Sequence, residues 1–284
     1  MEDKIISLIK NNKKYKTISD ELVQREIQLY LKQHPQLREE EIKKSESKKM
    51  IKEIRKKLHR VYASYQTKKK NKRNSYLQEI KKSVEENNDK KIKQAAKKIL
   101  ATAISAKERV EDYESIYKKI FSVTGKPRVI IDIGAGLNPI SFPFMNLESV
   151  TYYAYDIDNA DIQFINDYFD IMKQKGLNGK AELLDIRNSQ KISERSLADM
   201  VFMFKIIDLI DTKKKKTSGE IIKKFFEENK TKYIIASFAT KTLTRKNMNL
   251  PRRIGFENML IHLKLIFQSF SIENEIFYVI SQKN

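Results

Sequence analysis

The chain has 284 residues and carries 57 Lys+Arg against 37 Asp+Glu, a formal net charge of +20. Forty per cent of it is apolar, enough to bury a real core despite the charge. With no cysteine, disulfides, cysteine-ligated zinc, iron–sulfur clusters and thiol nucleophiles are excluded, and no metal site is expected.

Neither a long apolar signal-type segment at residues 1–10 nor a run of roughly 18 apolar residues is present, so a cytoplasmic protein is expected. The charge is concentrated at one end. Residues 1–100 hold 29 basic and 14 acidic side chains, and Glu41 to Arg73 alone holds 14 and three. Such a surface suits a polyanion, because each Lys or Arg that neutralises a phosphate releases condensed counterions. A solvated helical face and a membrane surface are the competing readings.

Residues 1–100 lack glycine and place apolar side chains at helical spacing. Helices are expected around Ile5–Ile9, then from a Ser19 or Asp20 cap through Leu22, Val23, Ile27, Tyr30 and Leu31 to the stop at His34-Pro35. A longer helix carries Met50, Ile54, Leu58 and Val61, and two more carry Leu77–Val84 and Ile92–Ile99. Thr67–Ser75 reads as an exposed basic loop. Ser105-Ala106-Lys107-Glu108 has the capping-box pattern and should open a helix through Val110, Tyr113, Tyr117 and Phe121.

Beyond Gly125, strand runs alternate with helical stretches: Val129–Ile133, Val150–Tyr155, Ala181–Leu184, Met200–Phe204 and Tyr233–Ser237, with helices at Asp158–Lys173 and Gly219–Glu228. That alternation predicts an α/β fold, a mostly parallel sheet covered on both faces. Ile272–Glu275 and Phe277–Ser281 should add strand as an antiparallel edge.

The sharpest local signal is the strand Val129–Ile133 running into Gly134-Ala135-Gly136-Leu137-Asn138-Pro139. Two glycines let the backbone turn tightly and let a ligand come close. The third glycine of the dinucleotide fingerprint is missing, which counts against NAD or FAD, and Asp132 is typical of S-adenosylmethionine loops. Asp156 ends the next strand twenty-two residues after Gly134, where a carboxylate accepts from ribose hydroxyls, and Asp185 closes the third. A structural glycine turn with solvated acids is the alternative.

From about Ile54 to its C-terminus the chain resembles the aminoglycoside-resistance methyltransferases that modify a guanine N7 in small-subunit (16S) ribosomal RNA. The resemblance rests on seven principal stretches in order: Lys56–Tyr65, Ser105–Val110, Asp132–Pro139, Ala154–Asp158, Phe204–Leu209, Ser237–Leu243 and Asn274–Tyr278. Gly255-Phe256-Glu257-Asn258 is similar to a further segment. Ala135, Ala239 and Met259 stand where the family usually has cysteine, proline and tyrosine. The last two departures fall in the target-facing half of the family pattern.

The resemblance implies a helical, basic ribosomal-RNA-binding domain at 1–104 and a Rossmann-like S-adenosylmethionine-dependent methyltransferase domain at 105–284, acting as a monomer on the small ribosomal subunit. For the cofactor it implies Arg109 on the methionine carboxylate, Asp132, Gly134, Ala135 and Gly136 in the loop, Asp156 on the ribose, and Ile157, Leu184, Asp185 and Phe204 along the remaining wall. Lys205, Ser237 and Lys241 would surround the target nucleotide. Lys56, Lys57, His59, Arg60, Arg245, Arg252 and Arg253 would contact RNA, and Phe238 and Tyr278 would either stack on the flipped base or belong to the core.

Guanine N7 carries a free lone pair, so its methylation needs no general base, which suits a chain with three scattered histidines. Methylation of another RNA, or a non-catalytic RNA-binding assembly protein on the same fold, are the alternatives.

Overall fold

The computed structural model describes residues 2–37, 44–61, 68–186, 197–211, 217–228, 230–241 and 252–283. Packing divides the chain into two compact units, Met1–Gln66 with Ile157–Ala160, and Thr67–Asp156 with Asp161–Asn284.

In the first unit, helices α1 (Glu2–Lys10), α2 (Asp20–Gln33) and α3 (Lys44–Val61) bury one apolar cluster. Ser19 caps α2, its hydroxyl accepting from the Leu22 N–H at 3.3 Å, and the helix stops at His34 before Pro35. Arg55 of α3 donates to the carbonyl oxygens of Leu8 and Ile9, which end α1 without helical partners of their own. Ile157–Ala160 joins this unit from far along the chain: Ser19 N–H donates to Ile157 O, and the Thr17 hydroxyl donates to Asp158 at 2.7 Å.

The second unit is built on a seven-stranded sheet. Its strands are β1 (Val129–Ile133), β2 (Val150–Asp156), β3 (Leu177–Leu183), β4 (Met200–Phe204), β5 (Tyr233–Ala239), β6 (Leu265–Ile272) and β7 (Glu275–Gln282), in the order β3-β2-β1-β4-β5-β7-β6. The first five are parallel; β7 runs antiparallel between β5 and β6. The final strand is thus interior and β6 is the edge, because β7 finds partners on both sides.

Period-two alternation buries both faces, as helix-covered parallel strands require. Ile130, Phe202 and Phe204 enter one core and Ile131, Val201 and Met203 the other. Helices α4 (Arg73–Glu85), α5 (Asp89–Leu100), α7 (Tyr113–Thr124) and α8 (Asn159–Met172) cover the first face; the short α9 (Ile207–Ile210) with α10 (Thr217–Glu227) and α11 (Ile254–His262) covers the second. Leu77, Ile80, Ile99 and Leu100, read from sequence as part of the helical module, pack in the core of the sheet.

Two local expectations change. The Ser105 capping box opens no long helix: α6 (Ile104–Lys107) is one turn, and α7 starts afresh at Tyr113. Arg109 falls in the intervening turn, and its burial against a distant carboxylate sets the chain path there over local propensity. Thr67–Ser75 is not a plain loop either. Lys68–Lys72 form a 3-10 turn leading into α4, with Arg73 buried. Among the described residues no helix is long and apolar enough to cross a membrane.

Candidate active site

Strand order reverses direction at β1, whose neighbours are β2 on one side and β4 on the other. Parallel sheets bind ligands outside the carboxyl ends of their strands at such a switch point.

The loop after β1 turns there through two left-handed glycines, Gly134 at φ 65° and Gly136 at φ 50°. A Cβ on Gly134 would lie 2.8 Å from Ile206 Cδ1, whereas one on Gly136 would meet nothing within 4 Å. The loop is pinned from both flanks. Ala135 N–H donates to Tyr155 O at 3.0 Å, and Gly136 N–H donates to the Asp156 carboxylate at 2.7 Å. Leu184 N–H donates to Asp156 O, bringing Asp185, just past β3, to the same edge.

Beneath the loop Asp132 is buried and accepts from Tyr152 Oη at 2.7 Å and from Asn138 Nδ2 at 2.9 Å. Burial pushes its carboxyl up to about 6, against the pull of those two donors. Ser141 Oγ donates to Asn138 O and shares a 2.6 Å hydrogen bond with Tyr117 Oη, so the chain of polar groups continues to α7. Asn138 of the loop motif therefore holds Asp132 in place, and with it the turn.

A second cluster gathers around Glu275, the first residue of β7. Because β7 is antiparallel, its amino end lies beside the carboxyl end of β5, in register with Ala239. The Glu275 side chain is fully buried and accepts from Arg109 Nε at 2.8 Å, from Lys205 Nζ at 3.0 Å, and from the Ser237 hydroxyl. Burial alone would raise its pKa, but Arg109 and Lys205 hold it below the ordinary carboxylate range. Burial likewise opposes the charge on Arg109, and Glu275 more than offsets it. The guanidinium also lies over the Phe204 ring, 4.9 Å from its centroid.

Lys205 is held in the left-handed region at φ 56°, a strain of roughly 1–2 kcal/mol for a residue with a Cβ. Its N–H donates to Ser237 O at 3.1 Å, and its ammonium bridges Glu275 and Glu108. Glu275 and Glu108 did not figure among the residues expected to act; both lie within the family-like motifs, and only the reversed strand brings Glu275 here.

The remaining expected residues divide. Leu184, Asp185 and Phe204 are buried at or beside the strand ends, and Ala135 is buried in the loop. Ile157 packs against the apolar cluster of the first unit. Ser237 is fully buried and its hydroxyl is committed to Glu275. Lys241, just past β5, pairs with Glu273 at 3.0 Å.

Arg252 and Arg253, expected to clamp phosphates, have carboxylate partners inside the protein. Arg252 pairs with Glu257, and Arg253 donates to Asp208 and to Ala239 O at 3.0 Å, which ties the start of α11 to the end of β5. A phosphate there must compete with carboxylates already in place. Arg245 lies outside the described residues, and of Arg60 only its place in α3 is described.

Phe238 and Tyr278 belong to the core. Phe238 is 2% exposed and meets the Tyr278 ring edge-on; Tyr278 Oη donates to Glu257 at 2.8 Å. Met259, a departure from the family pattern, packs over Gly219, where a Cβ would meet its sulfur at 2.9 Å, and against the core of the second face. On α3, Lys52, Lys56 and His59 are exposed at spacings of four and three on one helix face, and Lys57 is half-buried.

Strand order, glycine turn and edge carboxylates define a Rossmann-like methyltransferase. Comparison narrows the class. A model of the family described as ribosomal RNA methyltransferase (FmrO) matches residues 14–278. A 16S rRNA (guanine(1405)-N(7))-methyltransferase of Proteus mirabilis is 30% identical over 250 residues, covering 83% of this chain and 85% of the relative. One from Micromonospora rosea is 23% identical over 233 residues, 81% of each. Among solved structures, 16S rRNA methyltransferase RmtF in complex with S-adenosyl-L-homocysteine matches with a TM-score of 0.72 at 18% identity, over 99% of this chain and 98% of that one. The chain belongs to the FmrO family of ribosomal RNA methyltransferases.

Proposed function

We propose that the protein transfers a methyl group from S-adenosylmethionine to N7 of a guanine in 16S ribosomal RNA of the small subunit, at the position equivalent to 1405, as a cytoplasmic monomer. The observation that carries this reading is the shared sequence along most of the chain with relatives of that named activity.

The residues present fit the cofactor. Gly136 leaves open space where a side chain would stand, and Asp156, beside it, is a partly exposed carboxylate at the place for ribose hydroxyls. Asp185 supplies an acceptor for the adenine edge, and Arg109, whose charge Glu275 already meets through Nε, is the cation nearest for the cofactor's carboxylate. When bound, the cofactor supplies an electrophilic methyl on a sulfonium.

The protein's own work is orientation and electrostatics, since N7 brings its own electron pair. Positioning of this kind can supply roughly 7–11 kcal/mol of the barrier. Methylated guanine is cationic, so carboxylates near the ring favour the transition state over the ground state. Glu108, exposed and paired with Lys205, is the carboxylate of this cluster open to a ring, while Glu275 behind it is buried against Arg109, Lys205 and Ser237. The face of Lys52, Lys56 and His59 offers cations to phosphate.

The test is incubation with purified small subunits and labelled cofactor, followed by mass spectrometry of 16S rRNA fragments. One new 7-methylguanosine in the fragment containing position 1405 is expected. Subunits left unmodified, or modified at another atom, overturn the reading.

A further inference from the structure

The basic turn Lys68–Lys72 and the residue after it hold a polar cluster that the site above does not use. Arg73 is only 3% exposed. Its Nη1 donates to Asp161 at 2.7 Å, and its Nε donates to Thr102 Oγ1 at 2.7 Å. Thr102 Oγ1 donates onward to Ile99 O, closing α5. The ammonium of Lys70 comes to the same Asp161 oxygen at 2.7 Å. Asp161, buried in the first turn of α8, is thus one acceptor shared by two cations from a single turn.

As a stability device this is a poor choice. A buried ion pair replaced by apolar residues of similar volume is often neutral or stabilising. What apolar residues cannot do is specify where a neighbouring ammonium sits, and Lys70 fixes the path of the turn that also carries Lys68, Lys69 and Lys72. Lys72 is exposed, with no carboxylate against it among the described residues. A turn whose Lys70 is already held avoids part of the entropy of ordering it on binding.

We propose that Asp161 is a positioning residue for RNA docking: through Arg73 and Lys70 it sets the backbone path of the Lys68–Lys72 turn, which would meet the phosphate backbone. The inference rests on the ribosomal RNA reading above.

Asp161→Asn leaves Arg73 buried without its counter-charge and is expected to destabilise under either a positioning or a structural role. The deciding variant is therefore Arg73→Met with Asp161→Leu, which replaces the pair by apolar residues. Its melting temperature and affinity for S-adenosylhomocysteine should stay near wild type. Its KM for small subunits should rise about tenfold at unchanged kcat, with the salt slope of subunit binding lower by about 1.

Lys70→Ala, which keeps the buried pair, should raise KM in the same direction without loss of stability. It carries the test if the double variant does not fold. Wild-type KM and salt slope in a folded double variant, or in Lys70→Ala, overturn the inference. Failure of the wild-type protein itself to methylate subunits defeats instead the reading on which it rests.

Discussion

Replacing Glu275 by glutamine keeps the side chain's shape and removes its charge. Arg109, 3% exposed, then remains in the interior with no counter-charge, while Lys205 can fall back on Glu108. Removing one member of a buried pair costs about 3–5 kcal/mol. For a unit of this size that corresponds to a fall in melting temperature of roughly 6–20 °C.

The pH dependence has a definite sign. The folded pKa of Glu275 is depressed, so its contribution is present above the unfolded carboxylate value and lost as pH falls through the folded one. Thermal denaturation followed by circular dichroism at pH 7 and again near pH 3 should show the gap between wild type and Glu275→Gln narrowing in acid. Adding Arg109→Met to Glu275→Gln removes the stranded charge and should recover part of the stability, a non-additivity that marks a coupled pair. Equal melting temperatures at pH 7, or a gap as wide at pH 3, would refute the assignment of Glu275 as the counter-charge of Arg109.

Asp156→Ala removes the acceptor for Gly136 N–H and for ribose hydroxyls, and calorimetry should show S-adenosylhomocysteine affinity falling by roughly ten- to a hundredfold. Asp132→Asn tests the buried acid under the loop. A folded pKa raised to about 6 makes wild-type stability decline as pH rises from the unfolded value through 6, and the variant should lack that slope in denaturant titrations at pH 4.5 and 7.5. Reversing Lys52 and Lys56 to Glu should weaken small-subunit binding and lower its salt slope by about 1 for each phosphate no longer neutralised, with cofactor affinity unmoved.

Much of this was legible along the chain because it is local. Strands β1 and β4 fall where their apolar runs predict, Ser19 caps α2, and His34-Pro35 ends it. The glycine turn could be read directly, since a left-handed backbone with a close neighbour excludes other residues at Gly134. Family resemblance added expected roles for Arg109, Asp156 and Lys205, through short motifs in a constant order, which composition and periodicity do not supply.

What stayed hidden depends on which distant residues meet. A capping box at Ser105 is a sound local signal, yet Arg109 is buried against a side chain from the last strand, and the helix stops after one turn. Arg73 looks like one more lysine-loop cation until Asp161 and Thr102 close around it. Arg252 and Arg253 read along the chain as bare cations, and only the fold supplies Glu257 and Asp208 as their carboxylates. Glu275 is the clearest case. Only the antiparallel insertion of β7 between β5 and β6 brings it to the carboxyl ends of the parallel strands. Periodicity and turn chemistry act over a few residues and are written in order, whereas desolvated charges choose partners by proximity in space, which the packed sheet alone decides.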